Sequence, residues 1–382
     1  MNTDIFHARL EKMNLFMATN DLKAIIIAGS AHNDDALRYI SGPSFQLVAG
    51  PAFVLVSPNE EPILYFSDPA RPNQLTEYRQ ELDSHWIQNA KPKDLNLLCR
   101  DLITANITEG RIGINFDMAS ASITECLRKV FDKITPVDVT ESFLSLRCDS
   151  DKLCVELAEQ GTRLVESSFE ELCRGLHIGC NVAELLPRLD YIMKRDGGEE
   201  TFNGGGLARR PVFREKPGTV VPAVPGDFLA IEVSVRYLGV WSQRLMCASF
   251  GQPNPVFLKL FESSRKASCL AAAEAKPGCS SKHLIDIMND SIHDDGFLSF
   301  YDFDFEGLPP GHFMGAQMDS GTFTKDNDYT LNENMIFVLH ASVKDPVSGL
   351  ILRNAPGSIF HITDSGCRTL GSGKTSIRII EN

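Results

Sequence analysis

Apolar residues recur at helical spacing in some segments of this chain and in short unbroken runs in others. Residues 1 to about 20 carry Phe6, Leu10, Met13 and Met17 three or four apart, which predicts an amphipathic helix. Four apolar runs follow, "AIIIAG", "FVLVSP", "PILYFS" and "RIGINFD", each of strand length. Helical segments lie among them, one near residues 93–105 and one at "ITECLRKVF". Strands mixed with helices predict an α/β domain. Its end is expected near 145–151, where "SLRCDSDKL" is polar and offers Ser150 or Asp151 as a helix N-cap.

The second half opens on a long helix over about 150–175, with Leu153, Leu157, Leu164 and Val165 on its inner face. "GLHIGCN" breaks it, and "VAELLPRLDYIMKRDG" predicts another helix. The stretch "GDFLAIEVSVRYLGVWSQRLMCASFG" alternates like two strands joined by a turn at "RYLGVW". Helices are expected at "PVFLKLFESSRKASCLAAAEA" and "SSKHLIDIMNDSIHDDG". The last part, "NMIFVLHASV", "GLILRN" and "SIFHIT", reads as strand. The division proposed is 1–149 and 150–382.

One feature of the hairpin is out of place in an apolar element. Glu232 lies in its first strand and Gln243 in its second, eleven positions apart, where the two can face each other. Buried polar groups of this kind are costly without partners. Arg244, next in the strand, is expected on the opposite face in a structural salt bridge.

Length and charge narrow the rest. A chain of 382 residues is long for one core and suggests two domains. Its formal net charge of −13 argues against nucleic acid or an anionic membrane as partner. No stretch is long enough to span a bilayer, and "MNTDIFHARLEKMN" lacks the pattern of a secretory signal, so a cytoplasmic location is expected. Ten cysteines, from Cys99 to Cys367, include no C-x-x-C pair and read as buried reduced thiols, with Cys279 the most exposed. The "GGG" run at 204–206 reads as backbone freedom beside a pocket. "GSGKTS" at 371–376 has no helix after it and is not read as a phosphate loop.

Further landmarks come in a recognisable order: "ALRYISGPS", "KPGCSSKHLIDIM", "PPGHFMG", "NENMIFVLHA" and "FHITDSGCRTL". With the Glu232/Gln243 hairpin, the chain resembles the pita-bread family of creatinase, prolidase, aminopeptidase P and methionine aminopeptidase. The resemblance covers essentially the whole chain. It implies an α/β N-terminal domain, an α+β pita-bread C-terminal domain, and a homodimer.

Most of that family holds two divalent metals with two Asp, one His and two Glu. Carried onto this chain, the two Asp fall on Glu232 and Gln243, the His on His312, and the two Glu on His340 and near Gly357. A dinuclear site needs bridging carboxylates, so no dimetal peptidase centre is expected. The catalytic His of creatinase falls on Arg209, and a second family His falls on Asp319.

The resulting expectation is a non-peptidase enzyme with no cofactor. It would act by metal-independent acid–base chemistry, a C–N hydrolysis or a related cleavage such as elimination or decarboxylation, on a small carboxylate-bearing metabolite. His312, His340 and Glu232 are its catalytic candidates. Gln243, Arg209, Arg210 and Asp319 are its substrate-binding candidates; either Arg could clamp a carboxylate or pair with Glu199, Glu200 or Asp319. Two alternatives remain open. Glu232, His312 and His340 could hold one iron or zinc, or the chain could be a catalytically inactive binding protein.

Overall fold

The computed structural model describes residues 3–381 apart from 32, 44, 48, 211, 217, 303–308, 319 and 354. The chain divides into two units, Met1–Arg147 and Cys148–Asn382. The first is an α/β unit, as the apolar pattern predicts, and the second an α+β unit, as the family resemblance implies.

In the first unit the apolar runs become neighbouring strands. The central strand, Leu22–Ser30, pairs antiparallel with Pro51–Val56 and parallel with Glu109–Ile114. Ile63–Phe66 and Asn89–Pro92 extend the sheet on one side, and Lys133–Asp138 extends it on the other. Helices Leu95–Thr104 and Ala121–Val130 bury Leu98, Leu102, Ile123 and Leu127 in one core with Ala24, Ile26 and Ile112 of the sheet. Both start on a side-chain cap, Asp94 and Ser120, which takes up an amide that the first turn cannot satisfy. The Lys133–Asp138 strand has little apolar character, which hid it from the sequence pattern.

The second unit begins with the helix Lys152–Arg174, capped by Asp151, whose carboxylate accepts from the Cys154 amide at 2.9 Å. A short 3-10 turn leads to the helix Leu185–Arg195. Leu172, Leu189 and Met193 of these helices pack on Leu229, Ile231, Val233 and Val235 of the first hairpin strand. The hairpin strands are Phe228–Tyr237 and Val240–Phe250. Their two-residue turn, Leu238-Gly239, has φ of +47° and +83°. That is the left-handed pair a tight hairpin turn requires, and only the glycine adopts it without strain.

The hairpin is the middle of an eight-stranded sheet. The order runs Gly311–Phe313, Ile336–His340, Gly357–Ile362, Val240–Phe250, Phe228–Tyr237, Glu200–Leu207, with two further short strands, Cys367–Thr369 and Ile377–Ile380, attached to the Gly357 and Val240 strands. Helices Pro255–Glu274 and Ser281–Asp294 pack on one another. Phe257 of the former stacks on Phe228 at 5.0 Å. All ten cysteines are free thiols; Cys269 is the exposed one, and Cys279 is half-buried. Among the described residues no helix is long and apolar enough to cross a membrane.

Candidate active site

Sheet register decides which side chains can meet. Directly opposed residues of antiparallel strands share a face, and residues two apart in a strand share it too. Glu232 is opposite Leu245, Leu245 is opposite Gly357, and Gly357 is opposite His340. His312 is opposite Val338, two residues from His340, and Gln243 is two residues from Leu245. Glu232, Gln243, Gly357, His340 and His312 therefore line one face of five consecutive strands. Leu229, Ile231, Val233 and Val235, on the other face, pack against the helices Lys152–Arg174 and Leu185–Arg195.

Within that row the structure makes two close pairs. Gln243 Nε2 donates to Glu232 Oε1 at 2.6 Å. Gln243 is buried, and its Oε1 accepts no hydrogen bond among the described residues. An unmet acceptor of this kind is a place for a bound N–H or O–H. The rings of His312 and His340 form the second pair, with centroids 5.2 Å apart and planes at 60°. Both are buried. His312 Nδ1 donates to the Phe313 carbonyl at 3.1 Å, which fixes the proton on that nitrogen.

Gly357 separates the pairs because nothing larger fits. A Cβ there would lie 2.6 Å from Leu245 Cδ1 and 2.9 Å from His340 Cβ. The row thus supplies one carboxylate, one amide and two imidazoles. Two divalent ions need bridging carboxylates, and this row holds one, Glu232. Among the described residues no group of three or more His, Cys, Asp or Glu is placed to hold a metal.

The remaining candidates separate from the row. Arg209 is fixed by a two-point ion pair to the buried Asp227, at 2.5 and 3.0 Å. Arg210 is held likewise by Glu215, at 2.5 and 3.1 Å. Both guanidinium groups therefore have carboxylate partners, and neither partner is Glu199 or Glu200. Asp319 lies outside the described residues. Two other histidines lie elsewhere: His85 stacks on Tyr78 at 3.8 Å, and His361 is half-buried.

A small cavity of about 110 Å³ opens at Glu232. Its walls are the glycine run with Leu207, Phe213, Leu245 and Leu352, and Arg353 also lines it. The glycines are there for close approach. A Cβ on Gly204 would meet the Phe213 ring at 2.1 Å, and one on Gly205 would meet the Ala230 carbonyl at 2.4 Å. Arg353 went unnoticed in the sequence, where a lone Arg after "GLIL" gives no signal. The side chain is exposed overall, and its partial desolvation at the cavity holds the guanidinium below the usual arginine range.

Two family descriptions match the chain. Metallopeptidase family M24 matches residues 148–379, and the Creatinase/Prolidase N-terminal domain matches residues 9–148. The Xaa-Pro dipeptidase of Pyrococcus horikoshii is 23% identical over 358 residues, covering 91% of this chain and 92% of that protein. The Xaa-Pro dipeptidase of Pyrococcus furiosus is 22% identical over 347 residues, covering 89% and 92%. Among solved structures, the X-Pro aminopeptidase of Thermotoga maritima superposes with a TM-score of 0.77 at 18% identity, covering 94% of this chain and 98% of that one. The fold is thus a creatinase-type N-terminal domain followed by a pita-bread domain.

These matches correct the functional expectation. A metallopeptidase family and Xaa-Pro dipeptidase relatives overturn the non-peptidase, metal-independent enzyme of small-metabolite chemistry, and with it the expectations of no dimetal peptidase and no cofactor. They likewise displace the single iron or zinc and the inactive binding protein as readings. Changed side chains at ligand positions do not by themselves imply a changed reaction.

Proposed function

Since this chain belongs to metallopeptidase family M24, we propose that it hydrolyses short peptides, with Xaa-Pro dipeptides as its substrate class. The observation that carries the reading is the row on one sheet face, with a carboxylate and two imidazoles beside a small apolar cavity. Glu232, oriented by the Gln243 amide, is the group to take a proton from the attacking water. His340 or His312 is the group to return one to the leaving nitrogen. Leu207, Phe213 and Leu245 suit a proline ring, and Arg353 suits the carboxylate that ends a dipeptide.

In this reading the family's metal ligands are largely replaced. Glu232 and Gln243 occupy the two Asp positions, His340 and Gly357 the two Glu positions, and only His312 keeps its residue type. Metal dependence therefore belongs in the first assay. Full-length protein, stripped with chelator, is given Xaa-Pro dipeptides alone and with manganese, cobalt or zinc. Release of free proline under at least one condition is expected. No release under any of them overturns the proposal.

A further inference from the structure

The helix-covered face of the same sheet carries a second polar centre. Arg244 follows Gln243 in the chain, so it points to the opposite face. It is fully buried. Its Nη1 donates to Glu166 Oε1 at 2.5 Å, its Nη2 to the Lys374 carbonyl at 2.8 Å, and its Nε to the Gly357 carbonyl at 3.2 Å. One guanidinium thus joins the helix Lys152–Arg174, the C-terminal segment and the strand that carries Gly357. Gly357 is the residue wedged between Leu245 and His340 on the candidate-site face.

A cavity of about 370 Å³ lies beside this arginine. Arg163, Arg244, Lys374 and Arg378 line it, against two carboxylates, Glu166 and Glu170. Such a surplus of positive charge is unexpected on a chain of net charge −13. Arg163 pairs with Glu159, and Arg378 with Glu170 at 3.6 Å. Lys374 is exposed and enters no ion pair among the described residues.

Besides Ser167, the hydroxyls of the cavity come from "GSGKTS" at 371–376, which lines it with Ser372, Thr375 and Ser376. Gly371 and Gly373 have φ of +74° and +65°. The turn already grips one anion, an internal one: the Ser372 amide donates to Glu166 Oε2 at 3.0 Å. It runs into the strand Ile377–Ile380, so the basic side chains supply the charge and no helix end takes part.

We propose that this cavity binds a small phosphate-bearing anion, and that its occupancy is transmitted through Arg244 to the candidate-site face. An anion between Lys374, Arg378 and Arg163 competes with Glu166 for the Arg244 guanidinium. Any shift of that group acts on the Gly357 carbonyl, and so on the strand between Gln243 and His340. None of this depends on which reaction the site performs.

Isothermal titration of the full chain with inorganic phosphate, against sodium chloride of equal ionic strength, tests the binding. One saturable site per chain is expected at ~millimolar affinity or better, weakened about tenfold or more in K374A/R378A. Both replaced side chains are exposed, so an unchanged melting temperature is expected. No saturable heat in the wild type, or equal affinity in the double variant, overturns the site. Hydrogen exchange tests the transmission. Amides of 357–362 should change their exchange rate when phosphate is added to the wild type and not to K374A/R378A. Identical rates with and without phosphate would sink the coupling through Arg244.

Discussion

Gln243 Nε2 reaches Glu232 Oε1 at 2.6 Å across the diagonal of a hairpin, although neither residue is the other's direct partner in register. The contact answers the oddity of a Glu and a Gln in an apolar hairpin. A carboxylate partly withdrawn from water needs a donor, and the amide provides one while holding the carboxylate in a single orientation.

That orientation makes Glu232→Gln the sharpest test of the proposed chemistry. The amide of Gln at 232 still bonds Gln243, so the melting temperature should change little. Proton transfer is lost, and kcat/KM on Xaa-Pro dipeptides should fall by about 100-fold or more. Wild-type turnover in this variant would remove Glu232 from the mechanism.

Substrate-carboxylate binding separates two arginines. Arg353 lines the cavity at Glu232, whereas Arg209 is bound at two points to Asp227. Arg353→Ala is expected to raise KM for dipeptides about tenfold or more with a smaller effect on kcat, a loss of charge-assisted binding worth about 1.4 kcal/mol or more. Arg209→Ala should leave KM alone and cost stability, because it strips Asp227 of its cation. Dipeptide kinetics and urea unfolding of both variants read the two outcomes, and the reverse pattern would restore Arg209 as the clamp.

The cavity wall depends on a backbone that other residues cannot adopt. Gly205 has φ of +98°, and a Cβ there would press on the Ala230 carbonyl at 2.4 Å. Gly205→Ala should therefore cost about 3 kcal/mol, from strained backbone and overpacking together. A denaturation midpoint equal to that of the wild type would show that the two strands can separate there at no cost.

His361 gives the protein a pH-dependent term. Burial first, then the positive charge of Arg368, holds its pKa below the ordinary histidine value. The folded state binds this proton less readily than the unfolded chain does. The associated stability is therefore complete above about pH 6.5 and declines as pH falls through that value. Melting temperatures between pH 8 and 5 should show a shallower decline in His361→Gln than in the wild type. Parallel curves would assign the pH dependence to other groups.

How far the sequence led follows from what each signal encodes. The unbroken apolar runs of the first unit and the alternation at 226–251 became strands, because burial on one or both faces leaves that mark directly. Asp151 was one of two proposed caps, since cap chemistry is local. The row from Glu232 to His312 was assembled through family resemblance; register, which puts its members on one face, is set by pairing between distant segments. Arg353 and Glu166 carry no local pattern at all. The reaction was misread for a related reason. Ligand chemistry at single positions was weighed above similarity over the whole chain, although the latter reaches 91% of its length.

Glu166 and Arg244 show what holds the sheet to its helix. The guanidinium is fully buried and the carboxylate partly so. Removing one member of such a pair leaves the other charge without compensation, and Glu166→Ala should destabilise the fold by about 3 kcal/mol. Glu166→Gln keeps an acceptor for Arg244 and for the Ser372 amide, so its cost should be smaller, about 1 kcal/mol. Urea unfolding of the two variants side by side decides between charge and shape. Equal losses would mean that packing of the side chain, and not its charge, is what Arg244 requires.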